Sequence, residues 1–303
     1  MKKIKKNISL SKFTTFRVGG SAEYFLEVET PEEIISGIEW AKKNKSPYVI
    51  IAGGSNVVFP DGKTKGLVIR VSGGKIKRNG NFIITDAGVP LMDVVRFSTR
   101  EGLSGLEKLS GIPGTVGGAV YGNAGAYGAS ISESISNVIV YDGKNIKTIP
   151  HKKCDFRYRT SGFKKKKAAI LSVVLKLKKA DPCTLRSISE DILGKRGKKY
   201  PKNLKCPGSF FKNILVKDVS KSALKKINPL KIIEGKIPAG YLLEEIGAKS
   251  MRVGKIKVSS YHGNLIVNEG GGTARDAKKL ADILQKKVRA KFGIALKPEV
   301  MIF

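Results

Sequence analysis

Apolar residues along this chain fall into two rhythms, and the places where both stop are as telling as the rhythms. Ile170 to Leu177 is β-branched and partly alternating, which predicts a half-buried strand. Short apolar runs at Ala22–Val28, Tyr48–Ile51, Leu67–Val71, Phe82–Asp86 and Val138–Tyr141 predict further strands, with two more near Lys255–Ser259 and Asn264–Val267. The second rhythm is helical. Between Thr273 and Phe292, Ala277, Leu280, Ala281, Leu284 and Val288 share one face. Thr273 caps that segment, Asp276 sits at the capping-box position and Gly293 follows the last turn. Thr30-Pro31-Glu32-Glu33 opens another helix that runs to about Lys43: Thr caps, Pro takes the first helical position, and the acids meet the positive end. Pro90 starts a third, through about Glu101. Two shorter ones are expected around Leu185–Leu193 and Gly240–Gly247. Strands and helices intermingle without an internal repeat, so the expected class is α+β.

Both rhythms stop between Gly102 and Gly128. There every third residue on average is glycine, and charge nearly vanishes. So little side chain cannot build a core of its own. Ile112, Pro113, Val116, Val120, Tyr121 and Tyr127 are nevertheless spread through the stretch, which no flexible linker requires. The reading left is main chain brought against something flat and large, since glycine permits both positive φ and close approach. A second, shorter glycine turn, Ala52-Gly53-Gly54-Ser55-Asn56, follows the Tyr48–Ile51 strand directly and is a phosphate-cradle candidate. Neither turn carries the Gly-x-Gly-x-x-Gly fingerprint, so a doubly wound dinucleotide fold is not expected.

Composition changes the picture in three places. At 303 residues with 41% hydrophobic content, the chain can form two domains. Apolar density falls and charge rises from Lys178 to Lys205, which places the boundary there. The expectation is residues 1–180, in two parts of about 1–70 and 71–180, followed by 181–303. The net charge of +32 rests on 45 Lys against 12 Arg, scattered along the chain. It lacks the Arg-led reading motifs of sequence-specific nucleic-acid binders, so a Lys-rich surface with a positive cleft for anionic ligands is expected. Any nucleic acid would bind loosely and without sequence preference. Three cysteines with no Cys-x-x-Cys fit a reducing compartment, and two histidines are too few and too far apart for a His-based metal site. No apolar h-region follows the basic start and no stretch approaches a spanning length, so the reading is cytoplasmic, with no membrane insertion.

Eight motifs then appear in one order. They are Thr14-Thr15-Phe16-Arg17-Val18-Gly19-Gly20; Gly53-Gly54-Ser55-Asn56; Ile112-Pro113-Gly114-Thr115-Val116-Gly117-Gly118-Ala119; Asn123-Ala124-Gly125-Ala126-Tyr127-Gly128; Tyr158-Arg159-Thr160-Ser161; Gly208-Ser209-Phe210-Phe211-Lys212-Asn213; Ser259-x-x-His262-x-Asn264 before Val267-Asn268; and Leu296-Lys297-Pro298-Glu299-Val300. Together they resemble the UDP-N-acetylenolpyruvoylglucosamine reductase family, over essentially the whole chain from about Asn7 to Val300. The short stretch from Arg159 to Ser209 resembles the family's second type, which lacks a tyrosine-bearing flap.

The resemblance implies an FAD-binding region of the vanillyl-alcohol-oxidase (PCMH) type and a smaller α+β substrate domain. It implies non-covalent FAD, because neither His lies in a matching cofactor element. By this similarity Gly53, Gly54, Ser55, Asn56, Pro113, Gly114, Thr115, Gly117, Gly118 and Asn123 are the cofactor-binding residues. The implied activity is reduction of the enolpyruvyl group of UDP-N-acetylglucosamine enolpyruvate by NADPH. It would serve peptidoglycan synthesis, and with it cell-wall biogenesis, cell shape and division, in a monomeric cytoplasmic enzyme. Arg159 would grip the substrate carboxylate, which suits a planar, permanently charged fork. Ser209 matches the family's proton donor, Glu299 would support the enol with Arg159, and Asn213 is a candidate substrate contact.

Four positions depart from the family pattern. Ala52 stands for the first glycine of the usual triple-Gly turn, Gly122 for a bulkier residue, Tyr200 for the Gln of a Gln-Pro element, and Ile214 for a Pro. Arg159, Ser209 and Glu299 are intact. Two other readings bracket this one. A different flavin enzyme of the superfamily would keep the glycine turns but not those three residues in their contexts. A basic nucleic-acid-binding protein would account for the charge but not for the glycines.

Overall fold

The computed structural model describes residues 2–166, 168–201 and 203–303. They form two compact units, and both are discontinuous in sequence. The first comprises Met1–Ile8, Ala22–Gly53 and Lys65–Lys202; the second comprises Ser9–Ser21, Gly54–Thr64 and Asn203–Phe303.

The first unit is built on two sheets. One has four strands in the order Lys5–Ser9, Ser21–Val28, Lys63–Val71, Tyr48–Ile51. Its last pair is parallel, Tyr48 opposite Leu67, and the crossover into Tyr48–Ile51 is the helix Pro31–Lys43. That helix starts as its sequence demands. Thr30 Oγ1 accepts the Glu33 N–H at 3.3 Å, and Pro31 fills a position whose N–H has no helical partner. Its buried face, Ile34, Ile38 and Ala41, packs with Leu26, Val28, Leu67 and Ile69.

The other sheet has five antiparallel strands in the order Ile146–Pro150, Ile135–Tyr141, Ala169–Lys176, Phe82–Asp86, Ile76–Asn79. Alternation along Ala169–Lys176 is complete: Ala169, Leu171, Val173 and Leu175 are buried and the residues between them are not. Helix Leu91–Arg100 and the glycine-rich stretch cover the core on one side through Leu91, Val94, Val95, Val116 and Val120.

Helix Pro182–Lys199 also belongs to this unit. The boundary expected at 180/181 would have put it in the second. It buries only Leu185, Ser189 and Ile192, and Ser189 Oγ lies 2.7 Å from Ser110 Oγ in the glycine-rich stretch. High surface charge, which drew the expected boundary, measures the helix's solvent face and not what the other face touches.

In the second unit the capping box forms as expected. Thr273 accepts the Asp276 N–H at 3.0 Å, and Gly293 ends the helix Ala274–Phe292 in the left-handed conformation, φ +73°. The predicted stripe, Ala277, Leu280, Ala281, Leu284 and Val288, is buried throughout. It packs with helix Ala239–Glu245, with the three-stranded sheet Arg252–Val253, Ile256–Val258, Ile266–Asn268, and with Phe210 and Phe211. Phe16, Val18 and Val58 join the same core from segments early in the chain. A parallel pair closes the unit, Met301 opposite Val57 and Ile302 opposite Val58, with the Phe303 ring stacked on Phe59 at 4.6 Å.

Candidate functional site

In the first unit two glycine turns meet. A Cβ on Gly53 would lie 2.9 Å from the Gly114 Cα, tighter than side chains tolerate. Gly114 itself sits at φ +108°, where L side chains are strained. The two main chains are therefore packed together without side chains between them, which leaves bare backbone at the surface of the paired turns. The residues present fit FAD in that sense.

The stretch after Gly114 is not a bare turn. Residues Val116–Gly122 form a short helix that the glycine content did not predict. Thr115 Oγ1 accepts the Gly118 N–H at 3.4 Å as its cap. The Val116 N–H goes to the Val89 carbonyl and the Gly117 N–H to that of Ala87, at 2.9 and 2.8 Å. Gly117 is required by packing, since a Cβ there would meet Ala87, whereas a Cβ on Gly118 would make ordinary contact with Ala52. Asn123 ends the helix at φ +46°. Its Nδ2 donates to the Arg157 carbonyl at 3.0 Å and its Oδ1 accepts the Ser132 N–H at 3.4 Å. Gly117, Gly118 and Asn123 thus have structural occupations in addition to the cofactor role expected of them.

Through Asn123 this helix is tied to the turn that carries Arg159. Arg157 and Thr160 exchange N–H···O bonds of 3.0 and 3.1 Å, which leaves Tyr158 and Arg159 as a two-residue turn. Arg159 is at φ +53°, and its guanidinium lies 5.5 Å from the Tyr158 ring centroid. A second tie runs from Ser161 Oγ to the Tyr121 carbonyl at 2.8 Å, and Lys164 Nζ holds the Arg159 carbonyl at 3.1 Å. Arg159 is therefore an arginine on a braced turn, half-buried, with its backbone fixed from three sides.

Arg196, which its sequence context did not single out, belongs to the same neighbourhood. It stacks over Tyr200 at 5.1 Å, and its stem packs where a Gly111 side chain would otherwise stand. Burial and the nearby Arg159 charge pull its guanidinium below the ordinary arginine range, against the opposing influence of Tyr200 and Tyr127. A basic residue in the last turn of a charged helix looks like dipole compensation, so nothing in the local sequence marked it.

The second unit holds the other expected residues. Ser209 is half-buried and pairs with Leu265, while Phe211 pairs with Pro298. The Phe210 N–H goes to the Asn264 carbonyl at 3.0 Å, the Glu299 N–H to the Phe210 carbonyl at 2.8 Å, and the Lys212 N–H to the Lys297 carbonyl at 3.0 Å. The segment carrying Ser209 thus lies between residues 264–265 and 297–299, and the Glu299 main chain is bonded to the residue that follows Ser209. The Phe210 and Phe211 rings, buried and 5.2 Å apart, anchor it. Asn56 Nδ2 donates to the Glu299 carbonyl at 3.1 Å, so part of the first glycine turn braces Glu299. Asn213 Oδ1 accepts the Ala239 N–H at 3.1 Å and so serves the start of helix Ala239–Glu245. That occupies one of the amide groups expected to meet substrate.

Among the described residues no three His, Cys, Asp or Glu side chains gather as a metal site, and no helix is long and apolar enough to cross a membrane. Cys154 and Cys206 are buried and Cys183 is exposed, and burial pushes the Cys154 thiol up to about 11.

Residues 22–141 match the family described as FAD binding domain, and residues 200–303 match UDP-N-acetylenolpyruvoylglucosamine reductase, C-terminal domain. The UDP-N-acetylenolpyruvoylglucosamine reductase of Solibacter usitatus is 39% identical over 96% of this chain and 94% of its own. That of Clostridium novyi is 33% identical over 99% of this chain and 92% of its own. The crystal structure of the Thermus caldophilus enzyme of that name superposes with a TM-score of 0.78 at 30% identity, covering 99% of both chains. The α+β fold, the FAD-binding domain and the oxidoreductase class agree with the sequence reading. On identity, coverage and fold alike, the chain belongs to the UDP-N-acetylenolpyruvoylglucosamine reductase family.

Proposed function

We propose that the protein reduces the enolpyruvyl group of UDP-N-acetylglucosamine enolpyruvate to the muramate ether, with NADPH as electron donor and non-covalently held FAD. It acts as a cytoplasmic monomer in peptidoglycan precursor synthesis. The observation that supports this reading is the backbone pairing of the Ser209 segment with residues 297–299, which brings the main chain of Ser209, read here as the proton source, close to that of Glu299.

The bound cofactor supplies a two-electron relay from the nicotinamide to the methylene carbon of the substrate. The protein's own residues do the rest. Main chain at Gly53 and Gly114, packed together where a Gly53 side chain would not fit, would help to hold the cofactor. As electrons arrive, negative charge builds on the carbon beside the carboxylate and on the carboxylate itself. Arg159 meets it with two parallel N–H groups on a turn that does not have to reorganise. Ser209 Oγ gives its proton to the carbon bearing the carboxylate and completes the saturated ether. A hydroxyl is a weak acid, so this step requires the strongly basic carbon that the enolate provides. Glu299 supports the enol as it forms.

The test is colour followed by turnover in halves. Purified protein should carry equimolar FAD, bleach when NADPH is added without oxygen, and regain its colour on addition of the UDP-enolpyruvyl sugar. Recovery with oxygen alone, and none with the sugar, would contradict the substrate assignment.

A further inference from the structure

We propose that Asn264 is a positioning residue for Ser209, acting through the two phenylalanines that follow it. The inference rests on the reading of Ser209 as proton donor.

Asn264 is 3% exposed, and each of its polar groups is engaged with a group that fixes the Ser209 segment or the turn beside it. Its side chain spans both polar groups of one residue: Oδ1 accepts the Phe211 N–H at 2.9 Å, and Nδ2 donates to the Phe211 carbonyl at 2.8 Å. An N–H can only donate and a C=O only accept, so the amide has one permitted orientation. The Asn264 carbonyl takes the Phe210 N–H at 3.0 Å, and its own N–H goes to His262 Nδ1 at 3.0 Å.

This arrangement substitutes for an interrupted ladder. Residues 262–265 turn, with the Leu265 N–H on the His262 carbonyl at 3.1 Å, so no regular strand runs beside Phe211 on that side. A side-chain amide supplies the missing donor and acceptor instead. On the opposite side the Glu299 N–H holds the Phe210 carbonyl. The dipeptide after Ser209 is thus gripped from both flanks, and Ser209 keeps its place opposite Leu265. Proton delivery to carbon by a weak acid depends steeply on position, and a misplacement of about 1 Å costs on the order of a hundredfold. Removing the amide would also leave two backbone polar groups of Phe211 buried and unpaired, which forces the segment to move.

The experiment uses FAD-loaded enzyme and measures the two half-reactions separately by anaerobic stopped flow, in Asn264→Ala, Asn264→Asp, Ser209→Ala and the Ser209→Ala/Asn264→Ala double variant. Flavin reduction by NADPH should stay within about twofold of wild type in all four, while reoxidation by the UDP-enolpyruvyl sugar in Asn264→Ala slows by on the order of tenfold to a hundredfold. If Asn264 acts only through Ser209, the double variant should be no slower than Ser209→Ala alone.

Asn264→Asp supplies a second readout and covers the case in which the alanine variant does not retain flavin. Its carboxylate would oppose the Phe211 carbonyl, but its protonated form can donate there as the amide does. Reoxidation relative to wild type should therefore recover as pH falls. Taking the ratio at each pH cancels contributions common to both proteins from ionisable groups of the surrounding elements, among them His262, Glu244, Lys249, Lys212, Lys297 and Glu299. Additive losses in the double variant, equal slowing of both half-reactions, or a pH-independent Asp variant would overturn the positioning role. Ser209→Ala reoxidising at the wild-type rate would instead sink the reading of Ser209, and the present proposal with it.

Discussion

The glycine-rich stretch of the first unit and the Ser209 segment of the second solve opposite problems. Around Gly53, Gly114 and Gly117 the structure removes side chains so that backbone can approach backbone. Around Ser209 it adds them: two buried phenylalanines and one asparagine amide hold a strand where the neighbouring ladder fails. The first region is specified by what is missing and tolerates no addition. The second is specified by particular polar atoms and tolerates no loss. On the proposed function, a cofactor that only has to be held suits the first solution, whereas a proton that has to be aimed suits the second.

Substitutions that respect this division should separate cleanly. The largest effect is expected from Ser209→Ala, which removes the proposed proton donor and nothing from the glycine turns. Reoxidation by the enolpyruvyl sugar should slow by several orders of magnitude, with NADPH reduction nearly unchanged. A parallel fall in both would place Ser209 in the flavin site and dissolve the contrast.

Next is Arg159→Lys. Charge is kept but the two-point fork is lost, at roughly 2–4 kcal/mol of transition-state stabilisation, about a hundredfold or more in rate. A variant within twofold of wild type in kcat/KM would remove Arg159 from the chemistry.

Gly53→Ala probes the opposite region. Its Cβ has to displace main chain at Gly114, and overpacking of that kind costs roughly 1–3 kcal/mol. Flavin affinity, read by the return of free-FAD fluorescence on dilution, should drop about tenfold. The rate per bound flavin in the second half-reaction should hold. Loss of that rate instead of affinity would show that the cradle also aims.

The smallest effect is a control. Thr273→Ala deletes the cap of helix Ala274–Phe292 and should lower stability by about 1 kcal/mol, a melting shift of a few degrees, without touching either half-reaction. The loss should be at the low end, because Asp61 also accepts the Ala274 and Arg275 N–H groups, at 2.6 and 3.0 Å.

That second cap shows where sequence reading stops. Thr30 before Pro31, and Thr273 with Asp276 and Gly293, were legible because donor and acceptor are a few residues apart. Asp61 at the last helix, and Asn213 at helix Ala239–Glu245, answer to partners far along the chain, and no local pattern announces them. The helix Val116–Gly122 was hidden for another reason. Glycine disfavours helix by about 1 kcal/mol per residue, and the Thr115 and Asn123 caps with the ties of Val116 to Val89 and Gly117 to Ala87 override it. The catalytic candidates were visible because each sits in a motif of adjoining residues. Their supports, Asn123 beneath the Arg159 turn and Asn264 beside the Ser209 segment, also lie in motifs, but nothing in the local sequence shows which distant groups they hold.

The closing pair of the second unit has a bearing on how the chain is made. Val57 and Val58 pair with Met301 and Ile302, and Phe59 lies under Phe303. During synthesis the segments Ser9–Ser21 and Gly54–Thr64 emerge long before the residues they pack with. Phe16, Val18 and Val58 are core residues without a core until then. The first unit's own residues have all emerged by then. The second draws Phe16, Val18 and Val58 into a core made mostly of residues after 210, so a long loop must close before those contacts reward it. Its early segments are then the part of the nascent chain most exposed to misassociation, and the part a chaperone would have the longest opportunity to hold.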